Sequence, residues 1–433
     1  MLLSGLASAG ALIVLGLLFA RPQLGIVALA AFFPLNAYVI RLPLPGLNFE
    51  TVFIGIAIGL TLLRFGFRIP PLRFSGPVIA YIGVLFVGFL VTTSWAPREI
   101  AQFSSFGLFK VAKSQVFTAL LFFPTYLWFS NARDRRRLLE GMSLGLALAA
   151  CATLADGALQ ITESARMGRP VGLLSDPNAM AQYLAAFSLI QLHLFSSLDL
   201  SPIRRWLHLG LYTLVLLAVV LSLSRSAWLA LVLGHGVYLM YVNRKLLLAG
   251  AATLVLAVTV GFPFLPGLVR DRVEETFRSG NVVFAGSSQL ESSAASRVVF
   301  YRIGAGMFLD SPVWGHGLGS FKLLTPKYGA RYGMLRHKDP HSLPLKLGAE
   351  MGTLGLGVFI WLSLMVLQTG RRLWWARSDE RRFGPLLLGA GATLLIANLF
   401  TTEFMHTHQV SAYFWLLLAI AAHSDQDRAS GSL

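Results

Sequence analysis

The chain has 433 residues, 55% of them hydrophobic and only 13% charged, with a mean hydropathy of +0.66. So much apolar surface has no water-soluble way to hide, which excludes an ordinary soluble domain and defines an all-α polytopic membrane protein. The balance is basic, 36 Lys and Arg against 20 Asp and Glu, and the only cysteine, Cys151, lies in an apolar run, so neither an intramolecular disulfide nor a cysteine-based metal site can form.

In chain order the apolar runs fall at about 2–20, 24–40, 48–64, 76–94, 109–130, 138–160, 178–196, 207–223, 226–242, 246–265, 342–368, 384–402 and 409–423. The first lacks a basic leading segment and a cleavage site before Arg21, so it reads as a retained helix and not a signal peptide. A span needs roughly 20 residues, with about 17 as the lower limit. The 24–40 run is short and carries Pro34 and Asn36, which makes it interfacial or re-entrant and leaves about 12 transmembrane helices. Nine or ten of these lie in 1–265 and the last three in 341–423, with a large loop domain over 266–340 between them and a cytoplasmic tail over 424–433.

Basic residues in short loops stay on the cytoplasmic side. Arg64, Arg68 and Arg73; Arg133, Arg135, Arg136 and Arg137; Arg204 and Arg205; Arg244 and Lys245; and Arg371, Arg372, Arg377, Arg381 and Arg382 all fall in alternate loops. That register puts 95–108, 161–177, the turn near 224, the loop 266–340 and the turn 403–408 outside. Long loops are exempt from the rule, but Arg166, Arg169 and Arg225 are not. Arg225 stands out as the only charge in the apolar hairpin LVLLAVVLSLSRSAWLALVLG. Such a charge marks a functional site by default, the alternative being a side chain that snorkels to the interface.

The loop 266–340 is longer than a connection requires and shows helical patterning at 268–278 and 292–309, which makes it a mainly helical extracytoplasmic cap. In its second helix Val298, Tyr301, Ala305 and Phe308 recur at three and four and form the expected apolar face, while Arg297 stands near its start. No nucleotide-binding or zinc-hydrolase motif occurs, and the one DxD, Asp425 and Asp427, falls in the tail, so no metal and no cofactor are expected outside. Arginines offer a substitute, because guanidinium groups bind phosphate oxygens bidentately and stay charged.

From His337 to Gly355 the chain reads HKDPHSLPLKLGAEMGTLG. Lys338, Asp339 and Pro340 read as turn and cap residues, and Pro344 suits a first helical turn. His341 then sits at a helix start on the water–lipid boundary, where an imidazole can titrate and still face a lipid-borne substrate, or simply cap the helix. His316, His406 and His408 read as structural.

A histidine followed by Ser, Asn or Gln, nine residues and then GxxG is met by His341, Ser342 and Gly352-Thr-Leu-Gly355. The pattern resembles the motif of the bacterial O-antigen ligases, in the wider group that includes O-antigen polymerases and protein O-oligosaccharyltransferases. Ser224-Arg225-Ser226, Ser296-Arg297 with DSPVWGHGLGSF, and RPVGLLSDPNAMAQY with Asp176, Pro177 and Asn178 are similar to segments of the same family.

The resemblance implies a GT-C-like fold in the bacterial inner membrane with its active site on the periplasmic face. It implies metal-independent, inverting transfer of a glycan from undecaprenyl diphosphate to lipid A–core oligosaccharide, with the bilayer as partner and no nucleic acid. The family's essential histidine falls on His341 and its essential arginines on Arg225 and Arg297. His337, outside the motif spacing, is a lesser catalytic candidate. Arg166, Arg169 and Arg336 are second-rank diphosphate ligands, and Asp176, Asn178 and Glu403 are supporting residues. A polymerase or a protein O-oligosaccharyltransferase would use the same donor. A lipid-linked glycan transporter would keep the helices and arginines, yet transporters usually carry midplane charges and internal repeats, whereas no repeat is visible and the charges singled out here cluster at one face.

Overall fold

The computed structural model describes residues 2–38, 48–100, 103–174, 176–197, 200–259, 267, 270, 271, 274, 293–376 and 379–429. Among them there is no strand. The helices are α1 (Leu2–Ala20), α2 (Pro22–Phe32), α3 (Phe49–Phe65), α4 (Leu72–Glu99), α5 (Ser105–Leu120), α6 (Phe122–Trp128), α7 (Ala132–Leu159), α8 (Glu163–Arg166), α9 (Pro177–Phe187), α10 (Leu189–Phe195), α11 (Pro202–Leu221), α12 (Arg225–Val242) and α13 (Arg244–Thr259). After the 266–292 stretch come α14 (Ser293–Asp310), α15 (Ser320–Gly329), α16 (Leu343–Trp374), α17 (Phe383–Asn398), α18 (Glu403–His406) and α19 (His408–Ala429). Five stretches among the described residues are long and apolar enough to cross a membrane, namely Leu72–Pro97, Ser105–Trp128, Ala132–Leu159, Pro202–Leu221 and Leu343–Trp374. The chain is therefore a multi-pass membrane protein. The 24–40 run is interrupted, as α2 gives way to a 3₁₀ turn over Phe33–Tyr38.

The centre of the bundle is α19, buried without interruption from Val410 to Ala422, as befits a helix that is apolar on every side. The Tyr413 hydroxyl lies 2.8 Å from the Ala30 carbonyl and 3.0 Å from that of Met142, fastening α19 to α2 and α7. At the far end of α19, Asp425 lies 3.3 Å from Arg372 and 3.9 Å from Arg73, and Asp427 lies 3.1 Å from Arg135. Basic residues that the sequence assigns to one side thus gather at one end of the bundle, around the two aspartates of the DxD. Partway toward the other end, α12 and α17 come close enough for a Cβ on Gly234 to stand 2.9 Å from the Gly389 carbonyl oxygen, so only a hydrogen fits there.

Above that other end, α14, α15 and the start of α16 share a small second core of Val299, Phe300, Ile303, Met307, Phe321 and Leu324. This corrects the expected face of α14. Val298, Tyr301 and Ala305 point outward, and the buried side is the adjacent set beginning at Val299. Both sets are spaced three and four apart, and the packing partner decides between them. The patterning at 268–278 lies mostly outside the described residues.

One break organises this region. Gly352 has φ 60° and ψ −150°, a conformation essentially confined to glycine, and it interrupts α16 after its first turns. A broken helix exposes backbone groups that an apolar medium cannot satisfy. Here the segment 312–318 satisfies them: the His316 and Gly317 amides donate to the Ala349 and Glu350 carbonyls at 3.1 and 2.7 Å, and the Thr353 amide donates to Pro312 O at 2.7 Å. On its other flank the Leu318 amide bonds Gly88 O in α4 at 2.8 Å, and the Thr92 hydroxyl donates to Leu318 O at 2.8 Å. Gly352→Ala would place a Cβ 2.4 Å from the Val313 carbonyl oxygen besides forbidding the backbone angle. It should cost about 2–3 kcal/mol and lower the melting temperature of the purified protein, whereas Gly357→Ala, where a Cβ meets nothing within 4 Å, should leave it unchanged or slightly raised. Equal melting curves for the two variants would remove the break as a constraint.

Candidate active site

The site is built where the N-terminal ends of α9, α12, α14 and α16 meet α18. The N-cap of α16 is Ser342, one residue later than the sequence suggests, and His341 precedes it with φ 51°, a left-handed conformation uncommon outside glycine. Its ring stands 6.1 Å from that of Phe300 in an edge contact. Arg225 is the first residue of α12, half-buried, and the Leu223 before it is likewise left-handed, at φ 54°. Arg297 is near the start of α14 with its guanidinium carbon 5.7 Å from the Phe400 ring centre.

Electrostatics tie these groups together. Burial lowers the Arg297 pKa from its ordinary value, and the nearby Arg225 charge lowers it further. Two guanidiniums that repel each other in a partly desolvated space form a ready seat for a polyanion. His341 is solvent-accessible, yet desolvation by the protein around it is the main cause holding its pKa below 6.5, with Arg297 and Lys338 acting the same way and Asp339 and Asp176 opposing. That direction favours the neutral imidazole, the form able to accept a proton.

The supporting residues separate into groups. Asp176 caps α9, accepting from the Asn178 and Ala179 amides at 2.7 and 3.0 Å, and its charge reaches both His341 and Glu403. Asn178 Oδ1 accepts from Ser224 Oγ at 3.0 Å and from Arg169 Nη2 at 3.1 Å, linking Arg169 to the residue before Arg225. Arg166 instead donates from Nε to the Gln160 carbonyl at 3.1 Å, and Arg336 is exposed on the loop before α16. His337 is exposed with its Nδ1 3.0 Å from the Lys322 carbonyl.

Sequence reasoning missed three members. Asp339 is no simple turn residue: burial alone would raise its pKa, but Lys346 and then His406 bring it below the ordinary carboxylate value. Lys346 is buried in α16 between Asp339 at 2.5 Å and Glu350 at 3.1 Å. His406, read as structural, has its Nε2 3.9 Å from Asp339 Oδ1, and burial lowers its pKa to about 4. The available signal was a Lys and a Glu four residues apart inside an otherwise apolar helix, which is expensive unless the charges are paired. Among the described residues no group of three His, Cys, Asp or Glu side chains gathers to hold a metal ion.

The fold and site thus define a multi-pass helical membrane protein that brings an imidazole and two guanidiniums together at one end of its bundle. The family model described as O-antigen ligase matches residues 210–360, a span that contains Arg225, Arg297 and His341, and this match supports membership of the O-antigen ligase and polymerase family. Among curated proteins none matches the chain.

Glu403 gives the site a pH signature. Burial, with Asp176 and Asp339 nearby, raises its pKa from 4.5 to about 7, against a lowering hydrogen bond from Thr407 Oγ1 at 2.6 Å. The folded protein holds a proton there that the unfolded chain releases near 4.5, so the stability this group contributes is lost as pH rises from about 4.5 through about 7. Glu403→Gln should therefore melt progressively higher than the parent protein as pH passes from 5 to 8. A constant difference across that range would mean that Glu403 ionises normally.

Proposed function

We propose that the protein is an O-antigen ligase of the bacterial inner membrane, with about 12 transmembrane helices in a GT-C-like arrangement. It moves a polysaccharide from undecaprenyl diphosphate to lipid A–core oligosaccharide on the periplasmic face. The observation that carries this reading is the electrostatic coupling of Arg225, Arg297 and His341, three residues far apart in the chain, at one end of the bundle.

In this reading His341 takes the proton from an acceptor sugar hydroxyl as its oxygen attacks the anomeric carbon of the donor. The bond from that carbon to the diphosphate oxygen breaks, the electron pair leaves with the diphosphate, and a single displacement inverts the centre. Arg225 and Arg297 face the leaving group and hold the charge it acquires, the role a divalent cation plays elsewhere. Arg169 reaches the same corner through Asn178 and Ser224 and steadies the turn that carries Arg225.

The test is transfer in reconstituted vesicles with purified lipid-linked donor and lipid A–core acceptor. A polymerase would extend a second lipid-linked chain and ignore lipid A–core. His341→Ala should abolish transfer with folding intact, and His337→Ala should cost much less; full activity in His341→Ala would mean another group is the base. Arg225→Lys keeps the charge but loses the planar fork and should run about ten- to a hundredfold slower, since a charge-assisted contact contributes on the order of 1.5–3 kcal/mol. Wild-type rates in Arg225→Lys would make the residue an anchor. Transfer should also persist in excess EDTA, and a reaction that stops with chelator and restarts with magnesium or manganese would remove the arginine mechanism.

A further inference from the structure

Beneath His341 lies a line of buried charge that the transfer scheme leaves unused. Lys346 is 4% exposed and Glu350 0%, one turn apart on α16. Glu350 is held from its other side by the Gly319 and Phe321 amides, at 2.9 and 3.3 Å, at the start of α15, where a helix N-terminus favours negative charge. Lys346 is thereby neutralised on one flank and presents its ammonium to Asp339 Oδ1 on the other. Between Asp339 and His341 stands only Pro340, whose ring fixes φ, and the carbonyl before them is taken by the Thr325 hydroxyl at 2.9 Å. The turn has little freedom left.

We infer that Asp339 is the positioning carboxylate of His341: Lys346, anchored by Glu350, pins Oδ1, and this fixes both the turn that carries the imidazole and the field in which that imidazole takes a proton. The inference rests on the proposed role of His341 as base. Asp339 acts through His341 and does not touch the reacting atoms. The other charges facing His341 are Arg297 from α14, Asp176 from the start of α9, Lys338 from the turn and His406 from α18. Those facing Asp339, besides Lys346, are Glu350 from α16, His406 and Glu403 from α18 and Lys322 from α15. The cations opposing proton uptake by His341 are thus answered by two carboxylates, Asp339 and Asp176, of which Asp339 is the nearer in sequence and has the larger effect.

The test uses the full chain in nanodiscs with ¹³C-labelled histidine, following the His341 ring by NMR against pH, and the same preparations in the transfer assay. Asp339→Asn preserves shape and removes charge. The His341 midpoint should fall by about one pH unit, a tenfold change in proton affinity, and the acid limb of the rate profile should move down with it while the plateau rate drops. Asp339→Glu restores the charge and should restore the midpoint. An unmoved His341 midpoint in Asp339→Asn overturns the inference, whatever the rate does, because a purely structural carboxylate would slow transfer without moving it. If the parent protein transfers nothing, the proposed function falls, and the midpoint still shows whether Asp339 governs His341.

Discussion

Within a membrane protein every backbone amide and carbonyl must find a partner inside the protein, and the site depends on one place where the helix ladder stops. At Gly352 the carbonyls of Ala349 and Glu350 are released, and the amides of His316 and Gly317 take them up. The exchange docks the extramembrane segment 312–318 against α16 and α4 simultaneously. Gly315 sits so close to α16 that a Cβ would lie 2.3 Å from the Glu350 carbonyl carbon. From this docked segment α15 begins, and its first amides receive the Glu350 carboxylate. The break, the loop and the buried charges are one assembly, and none of its parts is stable in an apolar setting without the others.

Like charges crowd one another at the arginine side of the site. Arg225 and Arg297 raise each other's energy, and Arg297 also discourages a proton on His341. A diphosphate would relieve the first repulsion and screen the second. Such a cluster costs stability in the empty protein, and the two left-handed residues, Leu223 and His341, add backbone strain at the entries to the same two helices. Strain and repulsion at one spot are the signature of groups held in place by the fold around them.

Much of this was legible in the sequence. His341, Arg225 and Arg297 each break a local rule: an imidazole at a helix entry, a lone charge in an apolar hairpin, a guanidinium near the start of a cap helix. Broken rules are visible without a structure. Lys346 and Glu350 were hidden because they lie in a run whose average hydropathy swamps two charges of opposite sign. The face of α14 was misread because two overlapping apolar sets share its period, and only the partners across the interface, Phe321, Leu324, Met334 and Ala349, distinguish them. The GxxG motif was visible as letters, but the reason for its first glycine, the approach of Val313 and Pro312, belongs to tertiary structure alone.

The position of α19 bears on how the protein comes to exist. Synthesis delivers the amino-terminal helices to the membrane first, yet the helix around which they pack follows all of them in the chain. Until it arrives, the Ala30 and Met142 carbonyls lack the Tyr413 hydroxyl that joins α2 to α7 in the finished bundle. The corner that gathers Arg225, Arg297 and His341 is therefore closed last, because Glu403 and His406 reach it only with the final turn of the chain, long after Arg225 has been made.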